Sequence, residues 1–379
     1  MENGKVSLFV GWITLFIMGT DLFVVSPLLP FISDEYDVKP SLAGWMVTAF
    51  SVTYALAAPF YGWVSDKSGR KLFITGGLLL FSISNILTAL SPSFTCLIIS
   101  RILAGVSVAA ITPLIYAIIG DIAPSHRKGT WLSIVISGHL TALWIGAPIG
   151  LLLESFIGWR SAFISLAIMG CILSIVNIFT WRTIPHHDHR SQQRTIKLIN
   201  ILWSISVTTL WAIAMYALYT YLGAALYSEN QFSKIEISLS VIFYGIGAVI
   251  GSLTSGRLTD KLGERRVSRA TLMFLAIILL LLGFLFSAGP WIYLIVFIWA
   301  YVGYAGFTSY QSSLSVEFPN ERGRVLGWNN TGLYIGITLG AWLGGYIVKE
   351  WGYAFLPFFC SFVAVISLII CSLKINDGK

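Results

Sequence analysis

Twelve apolar runs, each close to the length that crosses a bilayer, constrain this chain more than any other feature. A spanning helix needs about 20 such residues. The runs cover 6–31, 41–64, 72–90, 95–119, 131–153 and 160–181, then 200–226, 236–256, 268–287, 291–314, 325–348 and 354–373. In hydrocarbon every backbone N–H and C=O must be satisfied within its own segment, so runs of this length are helices. The expected fold is all-α and integral to the membrane, with twelve transmembrane helices in two six-helix bundles, 1–181 and 200–379. A polar linker, 182–199, joins them. Charged residues make up 11% of the 379 positions, against about 25% in ordinary soluble domains, which excludes a soluble globule.

The charges that remain are ordered. With the N-terminus inside, most of the 24 Lys and Arg residues fall at cytoplasmic termini, loops or span ends. Lys39, Arg160, Lys234 and Lys349 fall on the other side, and Arg101 lies within a span. This bias predicts that both termini are cytoplasmic. It also accounts for the net charge of +7 without nucleic acid as a partner. Cys96, Cys171, Cys360 and Cys371 sit in apolar runs without metal-ligand spacing, so no disulfide or metal is expected. The linker run His186-His187-Asp188-His189 reads as a solvated segment rather than a metal site. The first apolar run is too long for the core of a cleavable signal.

Asp21 is the acidic residue that falls well inside an apolar span, in Gly19-Thr20-Asp21-Leu22-Phe23. A carboxylate at that depth costs roughly 2.5 to 3.5 kcal/mol even on the lenient insertion scale, and such residues mark ion or proton pathways. Arg101, in the fourth span, is the deep cation that it can meet. A neighbouring cation favours the ionised carboxylate and desolvation favours the neutral one, so a change in surroundings can load and release a proton. The alternative is a static ion pair.

The two halves repeat. Gly62 to Lys71 is matched 194 residues later by Gly256 to Arg265, and Asp121 to Gly129 by Glu317 to Gly323. Trp159 to Phe163 pairs with Trp351 to Phe355. Parallel six-helix repeats place a substrate site near the midplane, where they meet.

With these residues in view, the chain resembles the major facilitator superfamily over its whole length. Gly62-x-x-x-Asp66-Lys67-x-Gly69-Arg70-Lys71 is similar to the family's loop signature, with Lys67 in place of the usual arginine. The resemblance implies a conformational latch. Asp66 would meet the start of the eleventh helix near Arg322 and Arg324, and Asp260 would meet the start of the fifth near Arg127 and Lys128. The bland alternative is a solvated charged turn. Gly332, Gly336, Gly340 and Gly344 on the eleventh span are expected to dock on Ala58 and Gly62 of the second, and Gly247 and Gly251 on the glycine-rich turn of the fifth. Arg101 to Gly105 resembles the family's R-x-x-x-G element. Gly146-Ala147-Pro148-Ile149-Gly150 resembles its antiporter signature, although Ala147 and Leu151 depart from it. His139 either shuttles protons or packs as a hydrogen-bonded histidine.

The first span resembles the drug:proton antiporter and arabinose-efflux-like branch. That likeness implies a transporter, not an enzyme, which exports a small apolar or cationic solute in exchange for protons. Sugar or metabolite efflux and uncoupled facilitation are the alternatives. Candidate cavity residues are His139, Tyr216, Tyr304, Gln311 and Asn330, with Tyr216 near the repeat position of Asp21. Tyr219, Tyr301, Tyr310 and Asn329 are further polar or aromatic groups. Aromatic rings suit apolar and cationic ligands, although many in membranes are interfacial anchors. Expected partners are a small-molecule substrate, protons and the lipid of a bacterial inner membrane, with no cofactor and a monomeric chain. Asp34, Glu35 and Asp37 read as solvated, and Glu154 with Arg160 as an exposed pair.

Overall fold

A computed structural model describes residues 2–124, 128–181, 198–285, 291–318 and 322–373. Most of the linker at 182–199 lies outside these residues. So do the side chains of Asp66, Lys67, Lys128, Arg322 and Arg324, and all of Arg127. Among the described residues, twelve helices are long and apolar enough to cross a membrane. They are Gly4–Phe23, Pro40–Gly62, Arg70–Ala89, Phe94–Ile122, Ile134–Ile157, Arg160–Thr180, Leu202–Glu229, Lys234–Leu262, Glu264–Leu285, Trp291–Glu317, Val325–Trp351 and Tyr353–Leu373. Large apolar side chains such as Leu72, Phe156, Phe179 and Leu253 are exposed on them. Water would not tolerate such a surface; acyl chains do.

Proline shapes the spans of the first half. The apolar run 6–31 is not one helix but two, Glu2–Phe23 and Val25–Glu35. Pro27 has no N–H for the Phe23 carbonyl four residues back, and the helix breaks between them. The fourth span breaks at Ala110 and Ile111, just before Pro113. In the fifth, the turn before Pro148 widens to a π-helix over Ala142–Gly146, and the Ala147 N–H reaches back five residues to the Ala142 carbonyl. The breaks in the first and fourth spans fall within four residues before the proline, where the missing donor would have acted, and the π-turn ends two residues before Pro148.

The chain divides into two compact units. One holds Met1–Val25 and Ala49–Thr195, the other Ser26–Thr48 and Ile196–Lys379. The break before Pro27 therefore coincides with a border. In the second unit, Ser26 Oγ donates to the Tyr219 carbonyl. Tyr221 Oη donates to the Ala341 carbonyl at 2.9 Å and the Ser41 carbonyl at 3.3 Å.

The internal repeat is visible in the backbone. Among the described residues, six have positive φ, and they form three pairs: Asp37 with Gln231, Gly69 with Gly263, and Gly158 with Gly352. The members of each pair are 194 residues apart. At Gly69 and Gly263 the φ values are 89° and 83°, a conformation in which a side chain would be strained. This offset refines two readings of the sequence. The sixth and twelfth spans align through Gly158 and Gly352 rather than through Trp159 and Trp351. The counterpart of Asp21 is Met215, one residue before Tyr216.

The glycine docking expectations need correction. A Cβ at Gly247 would overlap the Phe297 carbonyl oxygen, and one at Gly251 that of Tyr301, so both glycines seat the eighth span against the tenth. Gly332 faces Ile205, Gly336 faces Thr209 and Ala212, and Gly340 and Gly344 face Ala217, all on the seventh span. A small residue permits close approach, but it does not say which helix approaches.

Candidate functional site

The first unit buries a charge clasp. Asp21 lies in the last turn of the first span and Arg101 about two turns into the fourth, and neither side chain has any exposure. Arg101 Nη1 donates to Asp21 Oδ1 at 2.8 Å, and Nη2 donates to Oδ2 at 3.0 Å. Nη2 also reaches the Asp21 carbonyl at 3.3 Å. Two parallel bonds are the strong, orientation-specific form of this pair. The guanidinium lies 5.0 Å from the ring centroid of Phe50 and 5.6 Å from that of Phe163. Arg101 Nε has no acceptor. Phe50 and Phe163 escape a reading of the sequence because nothing marks a ring in an apolar span as the cover of a cation.

Glycine holds the walls of this clasp together. A Cβ at Gly105, one turn beyond Arg101, would overlap Thr53 Oγ1 and the Phe50 carbonyl oxygen. Around the π-turn, Gly146 lies against Thr20, which adjoins Asp21, and Gly150 against Val24. The antiporter-like element Gly146, Pro148, Gly150 is thus where the fifth span meets the first. A π-turn inside a helix frequently marks a functional site. His139, one turn earlier, lies edge-on to Phe23 with ring centroids 5.1 Å apart. Its Nδ1 is buried without a hydrogen-bond partner among the described residues.

The second unit carries aromatic residues in the matching region. Tyr216 and Tyr304 are buried and join hydroxyl to hydroxyl at 3.3 Å. The Tyr219 and Tyr244 rings are 4.7 Å apart, as are those of Tyr244 and Trp299. Trp211 closes the group, stacked on Phe307 at 4.6 Å, with its Nε1 donating to the Gly303 carbonyl at 2.8 Å. Trp299 Nε1 finds no acceptor. Nothing in the sequence marks Trp211, Tyr244 and Trp299, since tryptophan in a span reads first as an interfacial anchor. The other named residues stand apart from this group. Tyr301 accepts from Thr254 at 3.1 Å and Tyr310 donates to the Ser204 carbonyl at 3.0 Å. Asn329 Oδ1 accepts from Thr208 at 2.5 Å. The Gln311 carbonyl accepts from Ser315 at 3.0 Å. Asn330 is half-buried.

Of the latch residues, Gly62 has no neighbour among the described residues where a Cβ would stand, and Asp260 is exposed. Arg70 pairs with Asp121, at the end of the fourth span, a partner the loop signature does not announce. Arg160 lies over the Trp159 ring at 4.6 Å and reaches the Ser91 carbonyl at 3.4 Å. Asp34, Glu35 and Asp37 are exposed.

A family model described as Major Facilitator Superfamily matches residues 11–228 and 204–378. The chain belongs to this superfamily. It is a transporter and a multi-pass membrane protein, not an enzyme. Among its relatives, the uncharacterized MFS-type transporter YceJ of Bacillus subtilis is 29% identical over 89% of this chain and 87% of that one. A probable sugar efflux transporter of Helicobacter pylori is 26% identical over 92% of this chain and 90% of its own. In structure, a D-xylose–proton symporter superposes with a TM-score of 0.81 at 15% identity, covering 97% of each chain. That likeness carries the fold. Within the superfamily's two six-helix repeats, the charge clasp belongs to one and the aromatic group to the other.

Proposed function

We propose that this superfamily member exports a small, largely apolar or cationic solute by alternating access in exchange for protons. The proposed setting is a bacterial inner membrane, with both termini in the cytoplasm. The observation that carries the reading is the Asp21–Arg101 clasp. While Asp21 is ionised the pair is neutral and joined by two parallel hydrogen bonds. Proton uptake by Asp21 leaves a buried guanidinium without its counter-charge, and an uncompensated buried charge is strongly destabilising. Arg101 must then shift or gain another partner, with the Asp21 backbone carbonyl and the Phe50 and Phe163 rings as its remaining support. A proton is converted in this way into a bias on how the first and fourth spans pack. The aromatic group around Tyr216 supports an apolar or cationic solute through ring contact and cation–π attraction, about 0.5 to 2 kcal/mol per contact.

Asp21→Asn keeps the side-chain shape and removes the titrating group. In everted vesicles with an imposed pH gradient, the variant should bind solute yet fail to accumulate it. Gradient-driven accumulation at the native level by the folded variant would refute the coupling role. The bidentate geometry itself favours a second reading, a facilitator in which the clasp is a static brace, and that result would select it. As for substrate, the relative named for sugar efflux supports sugar export as the competing class. A panel of sugars and of lipophilic cations in the same vesicles separates the two.

A further inference from the structure

The two copies of the loop after the second span of each repeat end differently. In the first unit, Gly69 turns the chain and Arg70 then pairs with Asp121 from the end of the fourth span. In the second, Gly263 makes the same turn. There Glu264 stands in the place of Arg70, and Glu317 stands near that of Asp121. Two carboxylates cannot close the junction as an ion pair does. A cavity of about 540 Å³ lies there instead, lined also by Arg265, Arg266 and Arg269. Neither Arg265 nor Arg266 has an ion pair among the described residues. Arg269 is held at the wall by an Nε bond to the Arg265 carbonyl at 3.3 Å.

The lining chooses its ligand by charge and by shape. Among the described lining residues, three guanidiniums against two carboxylates leave a net charge of +1, which suits one phosphodiester rather than a polyphosphate. Arginine presents paired donors that match phosphate oxygens. Leu262 and Val316, also in the lining, are 55% and 59% exposed. From Arg269 the ninth span continues at three- and four-residue steps through Met273, Ile277, Leu280 and Phe284, all exposed. A polar socket that leads onto an exposed apolar stripe of a membrane helix matches a molecule with an anionic head and an acyl tail. We propose that this pocket binds the headgroup of an anionic phospholipid, with its chains along the ninth span. Basic pockets between transmembrane helices are suited to such headgroups, and each arginine near the surface contributes roughly fivefold in affinity.

The purified full-length protein in mild detergent, titrated with phosphatidylglycerol, phosphatidylethanolamine and phosphatidylcholine under native mass spectrometry, tests this. Phosphatidylglycerol should bind at least about tenfold more tightly than the other two. The triple variant Arg265→Gln/Arg266→Gln/Arg269→Gln should weaken it on the order of 100-fold. Arg257→Gln, which removes an exposed charge one turn before the pocket, should leave the preference intact. If the triple variant fails to fold, Arg266→Gln alone should cost about fivefold. Equal binding of phosphatidylglycerol by the folded variants would overturn the proposal, as would phosphatidylethanolamine or phosphatidylcholine matching phosphatidylglycerol. Displacement of the lipid by millimolar inorganic phosphate would assign the pocket to a soluble anion and overturn the lipid assignment.

Discussion

The two bundles answer one packing problem in opposite ways. At the offset of 194, Asp21 corresponds to Met215, Arg101 to Ile295, Phe50 to Tyr244 and Gly105 to Trp299. In the first bundle the Phe50 backbone closes on Gly105 and its ring covers the Arg101–Asp21 pair. In the second, the corresponding Tyr244 ring meets the Trp299 ring at 4.7 Å, and Met215 fills the place of the carboxylate against Gly303. A buried charge pair is held by two directional bonds and fails when either partner is lost. An aromatic cluster is held by area and tolerates polar mismatch, as the unpartnered Trp299 Nε1 shows. A common backbone holds a buried charge pair in one half and a buried aromatic cluster in the other.

The comparison breaks most sharply at Arg101. Arg101→Met strands the Asp21 carboxylate in a site with no exposure. The expected cost is about 3 to 5 kcal/mol, read as a lower melting temperature and reduced folded yield in detergent. The double variant Arg101→Met/Asp21→Leu removes both charges and should recover most of that stability while transport stays lost. If the double variant is as unstable as the single one, the clasp is not an electrostatic unit. At the matching place in the second bundle, Ile295→Met should change stability by less than about 1.5 kcal/mol, because it is an apolar exchange of similar volume.

The glycine contacts should behave alike in both bundles. Gly105→Ala pushes a Cβ into the Phe50 carbonyl, and Gly251→Ala pushes one into that of Tyr301. Each should cost about 1 to 3 kcal/mol by forcing packed backbones apart. Thermal denaturation of the two variants side by side sharpens the comparison, since the clasp makes no contribution to the second. A loss confined to Gly105→Ala would mean that the substitution acts through Arg101 rather than through helix spacing.

How much of this was legible follows from the kind of force involved. The twelve spans are legible because hydrocarbon thickness imposes a length on the sequence. The pairing of Asp21 with Arg101 is legible because a buried charge needs a partner and few deep ions are available. The break before Pro27 is legible in principle, from the missing donor four residues after Phe23. The partners of Gly247 and Gly336 are not, because a missing side chain names no neighbour. The cluster around Trp299 is not, because a ring looks the same in a core, an interface or a lipid belt. The proposed meeting of Asp66 with Arg322 and Arg324 lies outside the described side chains.

Trp299 tests whether the aromatic half is as tolerant as its makeup implies. Its side chain has no exposure, and its indole N–H has no acceptor. Trp299→Ala should cost about 3 to 5 kcal/mol, as a large buried ring lost to a cavity. Trp299→Phe removes the unsatisfied donor together with part of the ring. An unpaired buried donor costs about 1 to 3 kcal/mol, so its removal should largely offset the smaller cavity and leave stability within about 1 kcal/mol of the native protein. A Trp299→Phe loss close to that of Trp299→Ala would show that the N–H has a partner, such as a bound water or solute, when the protein is in a membrane.

The smallest effect belongs to the pair that most resembles the clasp on paper. Arg70 and Asp121 also join a guanidinium to a carboxylate, but with side chains 28% and 39% exposed. Water solvates both charges when the pair opens, so little desolvation is at stake and salt screens what attraction remains. A double-mutant cycle with Arg70→Ala and Asp121→Ala should give a coupling of about 0.2 to 1 kcal/mol, falling further in 1 M salt. The same cycle on Arg101 and Asp21 should give several-fold more and hardly respond to salt. If the two couplings were equal, burial would not be what separates a structural turn from a transport element, and the functional weight placed on Asp21 would have to move to its neighbours on the π-turn.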